Sequence, residues 1–124
     1  MTVVLDTNAL MMPVECDVRL FDELDRLCEA PHPLAPHPVE RELDTLTADG
    51  GEPARAARVG RDLLTRCELR ATEADYADDA VLELAQAVDA PAVTNDQPLR
   101  DRLLAADVSV IGLRGKNKLA FTQP

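Results

Sequence analysis

Tryptophan is absent, and one tyrosine and two phenylalanines are the whole aromatic complement of 124 residues. The core must therefore be built from Leu, Val and Ala. Lysine is almost missing too. The 13 basic residues are 11 Arg with only Lys116 and Lys118, set against 23 acids for a net charge of −10. So acidic and Lys-poor a surface is what concentrated salt selects, because self-repulsion is screened there, and a halophilic source is expected. The charge also excludes a general nucleic-acid binder: any contact with phosphates must be local or metal-mediated. No apolar run approaches the ~20 residues of a membrane span, and the N-terminus lacks the regions of a signal peptide. A soluble, cytoplasmic chain with no membrane partner is expected. Cys16, Cys28 and Cys67 are odd in number and form no CxxC pair, and His32 and His37 lie near none of them. That disfavours a disulfide framework and a structural zinc site. At this length, 1–124 is expected to be one domain with a single core.

What is present reads as alternating strands and helices. Val3-Val4-Leu5 is a short buried strand, two of its three residues β-branched. Asp6, Thr7 and Asn8 follow where it ends, which is where ligands gather in an open α/β sheet. Met11, Met12 and Pro13 read as a connector. A helix is expected over 17–29 with Asp17 as N-cap, since Leu20, Phe21, Leu24, Leu27 and Cys28 share one arc. Pro31, Pro33, Pro36 and Pro38 exclude helix and leave a short extended piece around Leu34 and Ala35. Pro38 then opens a helix to about Ala48, Asp49-Gly50-Gly51 ends it, and Pro53 starts another reaching about Arg66. Strands are expected over 67–71, 90–94 and 108–113, with helices over 76–88 and 98–106 between them. From Arg114 onward the tail, 114–124, has little pattern. Helices between successive strands imply right-handed crossovers and a parallel sheet covered on both faces.

Four acids take comparable addresses. Asp6 follows the first strand and Asp96 the fourth, in Thr94-Asn95-Asp96. Helix geometry selects two more. In the helix from Pro38, Glu42 borders the face of Val39 and Leu46, whereas Glu40 points to solvent. In the helix from Tyr76, Asp78 lies near the centre of the apolar face and Asp79 far from it. Each acid has an ordinary use: a turn residue at Asp6, a helix cap at Asp96, a favourable dipole contact at Asp78, a boundary glutamate at Glu42. Taken together, acids turned toward one rim repel one another unless a cation joins them. Oxygen donors without Cys or His suit a hard cation, Mg2+ or Mn2+. Arg55, Arg58 and Arg61 form a loose basic stripe, read either as a solvated face pairing with Glu52 and Asp62 or as contacts to a nucleic-acid backbone.

Val3-Val4-Leu5-Asp6-Thr7-Asn8, Pro38-Val39-Glu40-Arg41-Glu42-Leu43, the block from Ala77 through Asp78 and Asp79 to Ala85, and Thr94-Asn95-Asp96 before Pro98 follow one another across Val3 to Leu113. In that order and spacing the chain resembles a PIN domain, the compact metal-dependent ribonuclease fold. It is similar above all to small stand-alone archaeal members, including those grouped with VapC-type toxins. The resemblance implies a three-layer α/β/α fold with a five-stranded parallel sheet in the order 3-2-1-4-5. Asp6 and Asp96 then become neighbours at the topological switch point. It implies Asp6 and Asp96 as the main metal ligands, with Glu42 and Asp78 completing a catalytic acidic pocket directly or through water. Asn8 and Thr94 would orient those carboxylates, and Asp79 is the alternative to Asp78. The implied reaction is hydrolysis of RNA phosphodiester bonds, with one or two Mg2+ or Mn2+ ions activating water. Arg55, Arg58, Arg61, Arg114, Lys116 and Lys118 are the candidate RNA-backbone contacts. The implied partners are an RNA substrate, an antitoxin protein if the chain is a toxin rather than an RNA-processing enzyme, and a second copy in a homodimer.

Rival folds meet specific obstacles. A haloacid-dehalogenase-like phosphatase wants a second Asp two residues after the first, where Asn8 stands, and a catalytic Lys before Lys116. A receiver-like regulatory domain wants an acidic cluster at strand one, where Asp6 stands alone. The remaining alternative is a PIN-like domain with feeble hydrolysis, acting as an RNA-binding or protein-interaction module. The charge itself generates a prediction. Between about 0.1 M and 1 M KCl the screening length falls from ~10 Å to ~3 Å, so the thermal midpoint is expected to rise across that range in a melt followed by circular dichroism.

Overall fold

A computed structural model describes residues 1–124. The chain runs β1 (Thr2–Leu5), α1 (Thr7–Glu15), α2 (Leu20–Leu27), β2 (His32–Pro36), α3 (His37–Thr47), α4 (Gly51–Leu64), β3 (Glu68–Arg70), α5 (Ala77–Val88), β4 (Ala92–Val93), α6 (Gln97–Ala105), β5 (Val110–Arg114) and β6 (Lys118–Thr122). The six strands form one sheet in the order β3-β2-β1-β4-β5-β6. The first five are parallel, and β6 joins β5 antiparallel. Right-handed crossovers put α1 to α4 on one face and α5 and α6 on the other. In keeping with this, α1 and α3 pack on α4, while α5 lies on β1, β2 and β4 and touches α6. Val3, Val4, Leu5, Ala92, Val93, Val110 and Ile111 are fully buried between the layers. Strands covered on both faces read as continuous apolar runs rather than alternating ones.

Three expectations need correction. The residues read as a connector, Met11 to Pro13, belong to a helix. The Asp6 side chain caps α1 by accepting from Ala9 N–H at 2.7 Å, so the helix starts at Thr7 and carries Pro13 inside it. A proline inside a helix costs about 3 kcal/mol against about 1 kcal/mol for the cap, and burial of Leu10, Met11 and Met12 in the core offsets the difference. Asp17 is not an N-cap. It sits in the left-handed region at φ 53°, and α2 begins at Leu20 with no side-chain cap. The tail is not patternless: Gly115, at φ 74°, turns the chain back, and Lys118–Thr122 pairs with β5 as a sixth strand. Leu119 is its buried member.

This last strand is pinned to α2 by a buried carboxylate. Glu23 is almost fully buried. It accepts from Leu119 N–H at 2.8 Å and from Arg26 Nη2 at 2.8 Å, and Arg26 also donates to the Leu119 carbonyl at 2.6 Å. Both outward backbone groups of Leu119 are thereby satisfied by side chains instead of by another strand. The Arg26 and Leu119 hydrogen bonds, with the Arg26 and Lys118 charges behind them, hold the Glu23 carboxyl down at about 2 from an ordinary 4.5. A depressed acid stabilises the fold fully above its unfolded value, and that stabilisation fades as pH falls from about 4.5 toward 2. Glu23→Ala is expected to cost about 1–2 kcal/mol near pH 7, the screened worth of hydrogen bonds to a charged group. Urea midpoints of the two proteins should converge as pH is lowered toward 2.

Candidate functional site

The carboxyl ends of β1 and β4 lie side by side, with Val4 level with Ala92 and Leu5 with Val93. Each strand is followed by an acid that caps the next helix. Asp6 accepts from Ala9 N–H, and Asp96 Oδ1 accepts from Leu99 N–H at 2.9 Å. The ordinary capping use of both residues is thus present, and one oxygen of each carboxylate serves it. The second oxygen of Asp6 accepts from the Thr94 hydroxyl. That hydroxyl in turn accepts from Asp96 N–H at 3.0 Å. Thr94 is fully buried and ties the two strand ends together. Asn8 Oδ1 accepts from Asn95 N–H at 2.9 Å, a second tie across the same junction.

Asp6 is 3 % exposed and no cation pairs with it. Burial pushes its carboxyl up to about 7; the charges of Asp78 and Asp96 push the same way, and the Thr94 and Ala9 hydrogen bonds oppose them. The Asp78 carboxyl, half-buried in the first turn of α5, is also raised. Burial is again the main cause, followed by the charges of Asp96 and Glu42, with Arg102 opposing and Asp79 adding to the rise. Asp6 thus feels the charges of Asp78 and Asp96, and Asp78 those of Asp96 and Glu42, which come from separate elements. Asp79 is exposed and held by Arg102 at 2.8 Å, which turns it away from that rim.

The helical wheel of α3 misjudged its two glutamates. Glu40 is half-buried and pairs with Arg61 Nη1 at 3.4 Å, beside an Arg61–Asp44 contact at 3.1 Å. Glu42 is the exposed one. The reason is that α4 covers the face carrying Glu40 and Asp44, through a polar contact that a count of apolar residues does not register. Glu42 keeps its place near Asp78 from the exposed side.

No three carboxylates, imidazoles or thiols in the structure converge on one point as direct ligands. The donor set fits a hard, hydrated cation touched by one or two carboxylates and by the rest through water, the usual manner of Mg2+. Thr7, next to Asp6, adds an observation that sequence reading missed. It is 7 % exposed, and its hydroxyl has no partner in the protein. Such a buried group is what an ordered water satisfies. The signal was in the sequence, since a hydroxyl between Asp6 and Asn8 in a strand-to-helix turn is easily buried.

The basic candidates divide. Arg55 pairs with Glu52 at 3.3 Å, Arg61 with Glu40 and Asp44, and Lys118 lies 3.8 Å from Glu23. Arg58, Arg114 and Lys116 are exposed and make no ion pair. Arg114 and Lys116 flank the turn into β6, whereas Arg58 sits on α4.

A sequence model described as a PIN-like domain matches residues 3–116. No curated protein matches the chain. Among solved structures, the PIN domain endonuclease Utp24 superposes with a TM-score of 0.79 at 23% identity, covering 99% of this chain and 92% of that one. VapBC2 from Rickettsia felis, bound to a DNA fragment from its promoter, gives 0.68 at 15% identity, covering 92% and 100%. A domain of a functionally unknown protein from Methanocaldococcus jannaschii gives 0.69 at 14% identity, covering 94% of each. At these identities the structural likenesses establish the fold.

A raised carboxyl generates the opposite pH dependence to Glu23. With a folded value near 7 against 3.8 unfolded, Asp6 costs nothing below about 3.8. Its cost then grows as pH rises, and it is complete above about 7. In chelator at pH 8, Asp6→Asn is expected to be more stable than wild type by roughly 1–3 kcal/mol. The gain should vanish by about pH 4, as read from urea unfolding at both pH values.

Proposed function

Because the chain belongs to the PIN-like domain family, we propose that it is a divalent-metal-dependent endoribonuclease whose centre is the rim between Asp6 and Asp96. One observation carries this reading: a buried carboxylate at the switch point of the sheet, facing other carboxylates and answered by no cation. Asp6 and Asp96 are the residues that would hold Mg2+ or Mn2+, with Asp78 and Glu42 reaching it through water. When bound, the ion would supply an activated water and offset charge on the scissile phosphate. The chain's own contribution is positional. Thr94 fixes the Asp6 carboxylate and the Asp96 backbone at once, and the Asn8–Asn95 hydrogen bond holds the loop that carries both. Buried hydrogen bonds of this kind keep ligand geometry constant while substrate exchanges.

RNA is the substrate in this reading, and an acidic protein approaches it where cations bridge the two polyanions. A toxin role would bring an antitoxin partner encoded beside it, so the neighbouring reading frame separates a toxin from an RNA-processing enzyme. A homodimer would be read from sedimentation. The absence of three converging ligands favours a second reading, an RNA-binding or protein-interaction module with weak hydrolysis.

The two readings part in one assay. Purified protein with Mn2+ and single-stranded RNA is expected to cleave internally. Asp6→Asn should lower the rate at least about 100-fold, beyond the roughly 10–100-fold loss expected for Thr94→Val, which disturbs orientation alone. Mn2+ should also raise the thermal midpoint of wild type and leave Asp6→Asn unmoved. Equal rates for wild type and Asp6→Asn would sink the nuclease reading.

A further inference from the structure

Seven of the 11 arginines lie within 4.0 Å of a carboxylate, as expected in a chain with 23 acids. Of the other four, Arg66 lies over the Phe21 ring at 3.9 Å, and Arg58 stands alone on α4. The remaining two, Arg100 and Arg114, line the same cleft. It lies between the start of α6 and the β5–β6 hairpin, with a volume of about 220 Å3. Thr94 and Asn95 form one end of it. They are the residues that already bridge to Asp6 and Asn8, so the cleft adjoins the acidic rim through them.

The floor of the cleft is open for a sequence reason. Gly112 and Ala120 are directly opposite in the hairpin, and they are the smallest cross-strand pair there. A Cβ at Gly112 would stand 3.0 Å from the Thr94 carbonyl oxygen. The glycine therefore lets β5 run close under the Thr94 loop without a side chain filling the space. Arg114 falls on the same face of the hairpin as Gly112, two residues on. Arg100, one turn into α6, approaches from the other wall. Two other cations near the rim are already engaged: Arg102, further along α6, by Asp79, and Arg41 of α3 by Asp75. Free positive charge next to the site is thus found in this cleft.

We propose that this cleft binds a backbone phosphate of single-stranded RNA beside the scissile bond, with Arg100 and Arg114 as its clamp, and so sets the path of the strand across the site. The proposal rests on the ribonuclease reading above and adds the side on which substrate lies. A guanidinium fork matches phosphate oxygens in pairs, and two arginines from facing walls suit one phosphate. The volume admits one phosphate with part of its sugar. No aromatic residue lines the cleft, so recognition there is of the backbone and indifferent to base.

The test is RNA affinity, measured by fluorescence anisotropy of a labelled 12-nucleotide strand in divalent-free buffer, with folding checked by circular dichroism. Arg100→Gln with Arg114→Gln should weaken binding at least about tenfold. It should also flatten the slope of log K against log salt by about 1.4, two lost contacts at ~0.7 each. Ala120→Leu, which fills the floor and leaves both charges, should weaken binding as well. Arg19→Gln with Arg66→Gln, removing the same charge beside α2, should bind as wild type does. In the Mn2+ cleavage assay the clamp variant should raise KM with kcat nearly unchanged. If wild type binds or cleaves RNA and the clamp variant matches it in affinity, salt slope and KM, the cleft proposal fails alone. If wild type neither binds nor cleaves RNA, the cleft and the ribonuclease reading fail together.

Discussion

A carboxylate buried at the centre of the sheet, with no positive charge to answer it, is the constraint on which the remaining structure turns. Asp6 starts α1 through one oxygen and holds the end of β4 through the other. Neither bond neutralises the charge. Its surroundings raise its carboxyl to about 7. Placing such a group between two central strands costs stability that the same fold would keep with an amide there. Perturbed carboxyls of this kind gather where a chain binds something. The strand order gives the reason for the place: β1 and β4 diverge into crossovers on opposite faces, and the gap between them opens above Asp6.

The charge distribution around that gap is lopsided. Arg41 of α3 is matched by Asp75, and Arg102 of α6 by Asp79 of α5. Arg100 of α6 and Arg114 at the end of β5, which line one cleft, are left without partners. With a net charge of −10, the protein cannot attract a polyanion by its overall field, so attraction must come from short-range features. The few unmatched cations thus carry more weight here than they would on a basic surface.

Much of this was legible in the sequence, and the gaps have physical causes. The parallel strands were readable because buried strands are short apolar runs and the crossovers between them are helical, whereas their order was implied only by the likeness to PIN domains. Asp6, Asp96 and Asp78 could be addressed from strand ends and a helical period, and the structure brings them near one another with Glu42. The exposure of Glu40 and Glu42 was inverted because polar packing between α3 and α4 leaves no apolar trace. Helix α1 was hidden by Pro13, since proline is a strong local signal and the burial of Leu10, Met11 and Met12 that offsets it is visible only in three dimensions. Strand β6 was hidden because its alternation is brief. Its fixing partner, Glu23, lies 96 residues earlier in the chain. Long-range polar contacts of that kind set the edges of folds and have no local signature.

The Thr94–Asp6 hydrogen bond spans 88 residues, and it gives the molecule a direction in time. During synthesis β1 emerges first, and it can pair with β2, and β2 with β3, while the second half of the chain is still being made. The junction above Asp6 has only one wall until β4 arrives. A nascent chain shorter than about 94 residues therefore carries half a sheet with an open edge at β1 and an acid still in water. The pocket is complete only once β4 has paired with β1, so nothing that depends on it exists in a molecule that ends before β4.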